Sequence, residues 1–368
     1  MRGMFREVRA VALVLLAMGI FGFSSNPEAM AQSAEDAAYY DIFKFVGELA
    51  VTESVNNMIA NGGMPNFDNL IVMSNAGYAE FMGLSTQSAL DGLSEATGTS
   101  RGKMNLLEIH SASHLPLWFA IYDKVSGLCS YLQVNPALTS MADLFSINTV
   151  EKINADHLYA NTAEYTAKLG TGIFGGNEFR IVTIMNAVAK GAPVYAARAF
   201  EFHDHYCPGV TSGIIMVNYL KKQFPLSSGG SYFVQAVQPW CKEDALMVLL
   251  NATPGKGGYS VLYSTAEDRS AWKTEAKDAA NIIYRYDAAA KKWDGVVLGF
   301  TWATETGCDA YGSGTIGKLC SDLWYLEHMD EPELFVKEIL RFELPEGVVP
   351  KDWARPGVDP MQKLGLVQ

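Results

Sequence analysis

The chain has 368 residues, 49% of them hydrophobic and 18% charged, with a net charge of −12. This is a globular composition, long enough for two domains with cores of their own. Its 28 basic residues are not clustered, which argues against a nucleic-acid partner, and acidity by itself speaks only to solubility.

At the N-terminus, Arg2, Arg6 and Arg9 precede and flank an apolar run over residues 10–23, and Ala29-Met30-Ala31 is a small-x-small cleavage site. Residues 1–31 read as a signal peptide, with the mature chain starting near Gln32. The apolar run is too short to favour a spanning helix, although an uncleaved anchor is the alternative. Cleavage removes three Arg and two Glu, leaving a charge of −13. The expectation is a periplasmic or extracytoplasmic protein with no stable membrane span once the signal is cut.

Residues 36–61 carry Ile42, Phe45, Val46, Leu49 and Ala50 at the spacing of one buried helix face, closed by Asn61-Gly62-Gly63. A strand over 69–74 follows, then an amphipathic helix over 85–97 with Ser85 as its cap. Three further strands fall at 105–110, 117–123 and 128–135, the last two forming a hairpin. Residues 140–168 read as mixed and helical, 170–177 as a flexible connector and 178–189 as a helix. The order then repeats: a helix over 210–224, a strand over 231–237, a helix over 241–250, and strands at 259–264, 282–287 and 293–300. Residues 301–318 are Gly/Ser/Thr-rich, 331–341 read as a short helix, and the proline-bearing tail from Leu344 reads as extended over the surface.

The repeat has a register. Asp91-Gly-Leu-x4-Gly98-x-Ser100-x-Gly102-Lys103 aligns without a gap on Asp244-Ala-Leu-x4-Asn251-x-Thr253-x-Gly255-Lys256. The expected fold is α+β: two tandem related α-β-α-β-β-β units, each a mixed sheet with helices packed on one face. The expected domains are 32–150, a connector over 151–195, 196–330, and a C-terminal helix and tail over 331–368.

The stretch Phe202-His203-Asp204-His205-Tyr206-Cys207-Pro208-Gly209 concentrates the chemistry. In an extended segment His203, His205 and Cys207 would face one side and converge on one ion. Pro208 suits the first position of a helix, which puts Cys207 at a helix N-terminus. Cys241 opens the helix containing Asp244, and its counterpart in the first unit is Ser88. Imidazole and thiolate together suit zinc, and also nickel, cobalt, iron or copper. A Cys207–Cys241 disulfide is the rival reading. Asp204 is a candidate acceptor for an imidazole N–H, and Lys256 a candidate electrostatic neighbour.

The five cysteines leave at least one unpaired if the others bridge within the chain. Cys308 and Cys320 flank the Gly-rich loop as a local disulfide pair, and Cys129 reads as a buried strand residue. His110 and His114 form a secondary candidate ligand pair. Covalent c-type haem is excluded by the lack of Cys-x-x-Cys-His, while a non-covalent haem or other tetrapyrrole stays open. His157 and His328 read as surface or capping residues.

The segment from Phe202 to Gly213 resembles the Phe-His-Gly-His-x-Cys-Pro-Gly signature of the formylmethanofuran dehydrogenase (FmdE) family. Cys241-Lys-Glu-Asp244-Ala245 and Thr253-Pro254-Gly255-Lys256 resemble that family's Cys-x-x-Asp-Ala and Thr-x-Gly-Lys segments. The resemblance covers residues 195–300 and, more faintly, 70–135. It implies the α-β-α-β-β-β unit and a metal, commonly zinc, at His205, Cys207 and Cys241, with His203 as optional fourth ligand. Asp204 departs from the family's Gly, Ala252 from a frequent Cys, and no zinc ribbon follows. Functionally the implication is a metal or metallocofactor binder or carrier. A metal-dependent enzyme or redox protein, or a tetrapyrrole binder, is the alternative, and a homodimer is possible.

Overall fold

The computed structural model describes residues 34–368, with side chains from Tyr39 onward. The expected signal peptide, residues 1–31, lies outside the described residues. Two compact units divide the chain: Met1–Gly191 with Ser313–Leu319, and Ala192–Gly312 with Cys320–Gln368.

The first unit contains α1 (Ala34–Ala60), β1 (Leu70–Ser74), the short hairpin β2–β3 (Glu80–Phe81 and Leu84–Ser85), α2 (Ala89–Thr97), β4 (Leu106–Glu108), β5 (Trp118–Asp123), β6 (Leu128–Val134) and β7 (Phe145–Lys152). Then come α3 (Ala155–Ala160), α4 (Thr162–Leu169) and α5 (Glu178–Ala189). Its main sheet has the order β4-β1-β5-β6-β7, with β1 and β4 parallel and the other pairs antiparallel. Leu70, Val72, Phe119 and Ile121 pack under α1 and α2 with Phe43, Val46, Ala89 and Leu93. Because successive strand residues alternate faces, Trp118 points the other way, and there Tyr131 packs on Phe174 with ring centroids 5.5 Å apart.

The second unit contains α6 (Val194–His203), α7 (Pro208–Gln223), β8 (Ser231–Ala236), α8 (Lys242–Leu249), β9 (Tyr259–Val261), α9 (Ala266–Ser270), β10 (Ala279–Asp287) and β11 (Lys292–Phe300). The later elements are α10 (Thr315–Glu327), β12 (Val336–Glu343), α11 (Pro350–Trp353) and α12 (Pro360–Lys363). Its sheet has the order β12-β11-β10-β8-β9, again with one parallel pair, β8 with β9, at one edge. The two five-stranded mixed sheets therefore share strand order and direction, consistent with two related units. Aligned positions Gly98 and Asn251 both take left-handed backbone, at φ 69° and 55°.

Every residue of α7 from Val210 to Leu220 is buried. A helix buried all round belongs to the core, and α7 packs against α6, α8 and β12. The opposite side of the second unit is closed by Phe233, Tyr284 and Val297 with Trp272, Trp353, Met361 and Leu366.

Several elements differ from the sequence reading. The α2 cap is Ser88, not Ser85, because buried Thr86 donates to the carbonyls of Ala76 and Ala79 and holds the preceding segment in the β2–β3 hairpin. Residues 145–152 form β7 rather than helix, since their alternating exposure suits the sheet edge beside β6. The helix expected over 331–341 is instead the strand β12, whose pairing with β11 outweighs local preference. The tail is not extended over the surface. Pro350 and Pro360 start short helices, and Trp353 stacks on Phe342 at 5.8 Å between centroids. Cys308 and Cys320 form a disulfide, while Cys129, Cys207 and Cys241 are free thiols.

Candidate metal centre

The His-x-His-x-Cys run is not extended, which corrects the expectation that it converges by strand alternation. His203 is the last residue of α6, and Asp204 caps that helix in left-handed backbone, φ 68° and ψ −9°. Asp tolerates this region better than most residues because its short side chain hydrogen-bonds locally. The chain reverses there, passes His205 and buried Tyr206, and reaches Cys207 as the N-cap of α7 with Pro208 at the first helical position. The Tyr206 ring packs on Phe200 at 4.2 Å, which fixes the link between His205 and Cys207.

Cys241 arrives from a second helix, as the N-cap of α8. Its approach depends on glycine. A Cβ on Gly209 would lie 2.9 Å from the Cys241 Cβ and 3.1 Å from its Sγ, and a Cβ on Gly213 would lie 2.5 Å from the Lys242 carbonyl oxygen. The start of α8 is also anchored from beneath. Fully buried Lys242 donates to the Gln238 carbonyl at 2.6 Å, pairs with Glu243, and lies 3.4 Å from the Trp240 ring centroid. Glu243 accepts from Tyr259 of β9 and, at 3.0 Å, from Asn281 of β10. Burial pulls the Lys242 ammonium down to about 8, with Glu243 opposing.

The result is a cluster of His203, His205, Cys207 and Cys241, whose ligand atoms lie within 4.8 Å of one another, Cys207 buried and the others half-buried. A tetrahedral zinc ion, with Zn–S about 2.3 Å and Zn–N about 2.0–2.1 Å, sets ligand–ligand edges of about 3.4–3.8 Å. A contraction of about 1 Å at the widest edge would therefore close the four donors on one ion. Both imidazoles are held by carboxylates: His203 Nδ1 meets Asp244 Oδ2 at 2.6 Å, and His205 Nδ1 meets Asp204 Oδ1 at 2.7 Å. That arrangement reserves the Nε2 atoms for an ion. His203 Nε2 is buried without a hydrogen-bond partner, as expected of a nitrogen meant for a metal.

The cluster's charge tells the same story. The Cys241 thiol is held far below the ordinary range, first by the hydrogen bond from Cys207 and then by His203 and His205. Cys207 is pushed up by that same bond and by burial, so the two sulfurs share one proton. Burial works against charging His203, yet the Asp244 hydrogen bond and the Cys241 sulfur raise it to about 9. His205 is also raised, by Asp204 and Cys241 against burial. Protons here supply the positive charge that a divalent cation would supply to the same donors.

Residues 202–302 match the family described as FmdE, molybdenum formylmethanofuran dehydrogenase operon. This segment is an FmdE family domain. All four residues of the cluster fall inside the FmdE match, which ends just beyond β11. No curated protein matches the chain.

Asp244 has no site role in the sequence reading, although it stands one helical turn after Cys241 and therefore on the same face. Gly209 and Gly213, four apart on α7, are the other legible signal of a close crossing. Lys256 is exposed in a tight turn, with its Nζ on Asn251 of the same loop. His110 and His114 are exposed in the connection from β4 to β5, and the His110 ring packs edge-on against Tyr78 at 4.8 Å. The His157 ring packs on Tyr165, and the His328 ring stacks on Trp324 at 4.0 Å.

Proposed function

We propose that this chain is an exported protein that binds one transition-metal ion, zinc by the character of its donors, in a binding or carrier role for a metal or metallocofactor. The observation that carries the reading is the convergence of two imidazoles and two sulfurs within 4.8 Å, with each imidazole backed by a carboxylate. Bound there, zinc would cross-link the starts of α7 and α8 to the end of α6, and would act as a Lewis acid only where a ligand position is open. Cys207 and Cys241 contribute thiolates placed by the Gly209 crossing, and Asp244 and Asp204 orient the imidazoles. Export is supported by the basic, apolar and small-residue segments of residues 1–31 and by the Cys308–Cys320 disulfide. Shared strand order and the aligned Asp-to-Lys segments support an origin by duplication, with the metal centre kept in the second unit.

The test is metal content of the purified protein beside Cys207→Ala. Near-stoichiometric metal in the first and loss in the second is expected, and equal content in both would refute the reading. A second reading, a metal-dependent enzyme, is favoured by the half-exposure of His203, His205 and Cys241. Cobalt substitution separates the two: an absorption spectrum of four protein donors supports binding, and one that changes on adding azide supports an open position. The tetrapyrrole alternative would use His110 and His114, and a Soret band on haem addition that is lost in His110→Ala would establish it.

A further inference from the structure

The helix crossing that presents Cys207 and Cys241 has a counterpart in the first unit, where it frames a cavity. A Cβ on Gly47 of α1 would lie 2.3 Å from the Ala89 carbonyl oxygen, just as one on Gly213 of α7 would lie 2.5 Å from that of Lys242. Ala89 and Lys242 each follow their helix N-caps, Ser88 and Cys241. Superposing these contacts pairs Gly47 with Gly213. Counting back along each chain pairs Tyr40 with Tyr206 and Tyr39 with His205. Asp91, which aligns with Asp244, likewise accepts from the neighbouring helix, here from the Tyr40 hydroxyl at 2.8 Å.

The soft ligands are gone at this place, and a cavity of about 590 Å³ stands there, lined by Tyr39, Tyr40, Ser85, Gln87, Ser88 and Asp91. Its volume is that of a small-molecule site. One wall comes from the β2–β3 hairpin, which has no equivalent among the described residues of the second unit. Asp91 is the only charged residue in the lining. Tyr40 occupies its Oδ2, and Oδ1 has no donor among the described residues. The adjacent cation, Lys44, is already matched by Glu95 at 2.6 Å and Glu48 at 3.7 Å, so the local field is negative. Burial, then Asp91, pushes the Tyr40 phenol up to about 12, which keeps it a donor.

We propose that this cavity binds a small organic ammonium ion, its charge against Asp91 and its carbon groups over the Tyr39 and Tyr40 rings. A carboxylate without a basic partner excludes anions, and phenol faces attract alkylammonium groups. The proposal does not rest on the metal reading, because none of its residues belongs to that cluster.

Calorimetric titration of the purified protein with choline and with 1,4-diaminobutane tests it, with sorbitol and citrate as neutral and anionic controls. At least one ammonium compound should bind with a Kd of about 1 mM or tighter, and neither control should. Asp91→Asn should weaken binding by about tenfold or more, as should Ser85→Trp, which fills the cavity from an exposed hairpin position and so covers the case that Asp91→Asn misfolds. Cys241→Ser should leave the affinity unchanged. Failure of both ammonium compounds, equal binding of a control, or undiminished affinity in the folded variants overturns the proposal.

Discussion

Gly209→Ala tests the metal centre at the point where backbone geometry and ligand geometry meet. The new methyl would sit 2.9 Å from the Cys241 Cβ and 3.1 Å from its Sγ, both atoms of a ligand residue, and 3.5 Å from the Cys207 Sγ. Ordinary contact begins near 3.4 Å, so α7 and α8 must part by roughly half an ångström or more. Two effects oppose. Alanine in a helix is favoured over glycine by up to about 1 kcal/mol, while overpacking a well-packed contact costs about 1–3 kcal/mol. Since the clash is with Cβ and Sγ at the start of a helix held by the buried Lys242–Glu243 network, overpacking should win. The metal-free variant should lose about 1–2 kcal/mol in denaturant unfolding. Zinc affinity, measured by competition with a chromophoric chelator, should fall about tenfold or more, because the widened gap lies between two ligand-bearing N-caps. Gly255→Ala is the control, with nothing within 4 Å of its Cβ. If Gly209→Ala were stabilising with unchanged affinity, the crossing would not position the ligands.

Asp244→Ala should lower metal affinity by about 10–100-fold with little change in the stability of the metal-free protein, read by the same competition assay; an unchanged affinity would show that His203 does not depend on its carboxylate. Lys242→Met alone should cost about 3–5 kcal/mol in unfolding experiments by stranding buried Glu243, and Lys242→Met with Glu243→Gln should recover part of that loss. Replacing both Cys308 and Cys320 by serine should cost about 2–3 kcal/mol for a loop of this length, seen as a lowered denaturation midpoint under non-reducing conditions. Trp353→Ala should cost about 3–5 kcal/mol if the tail belongs to the core, and a surface tail would give a change near zero.

What the sequence reveals about the site is donor identity and local spacing. His203, His205 and Cys207 can be read as one group, and Cys241 is reached through Pro239-Trp240 and the helix behind it. The path between the donors is not legible, because it turns on one left-handed residue, Asp204, where the family signature carries glycine. Asp244 is visible as an aligned position but not as a partner of His203, since that contact joins residues 41 apart. The paired sheets follow from repeated order and the Asp-to-Lys register. The strands β7 and β12 do not: both are edge strands with mixed polar sequence, and only their neighbours β6 and β11 decide their state. The tail escapes a local reading because its prolines signal extended chain, whereas Trp353, Met361 and Leu366 supply apolar cover that β8, β10 and β11 require.

The way the second unit closes its sheet bears on how the FmdE segment can be handled in isolation. The match ends at residue 302, but β11 pairs along its length with β12, from Asp294 opposite Glu343 to Phe300 opposite Val336. Excised at the limits of the match, the segment would carry a bare hydrogen-bonding edge on β11, and the face of Phe233, Tyr284 and Val297 would lose Trp353, Met361 and Leu366. It would also lack most of α6, which ends in His203. A recombinant fragment of that span is therefore an aggregation-prone piece, and any comparison of metal centres across relatives calls for fragments cut at the borders of the folding unit.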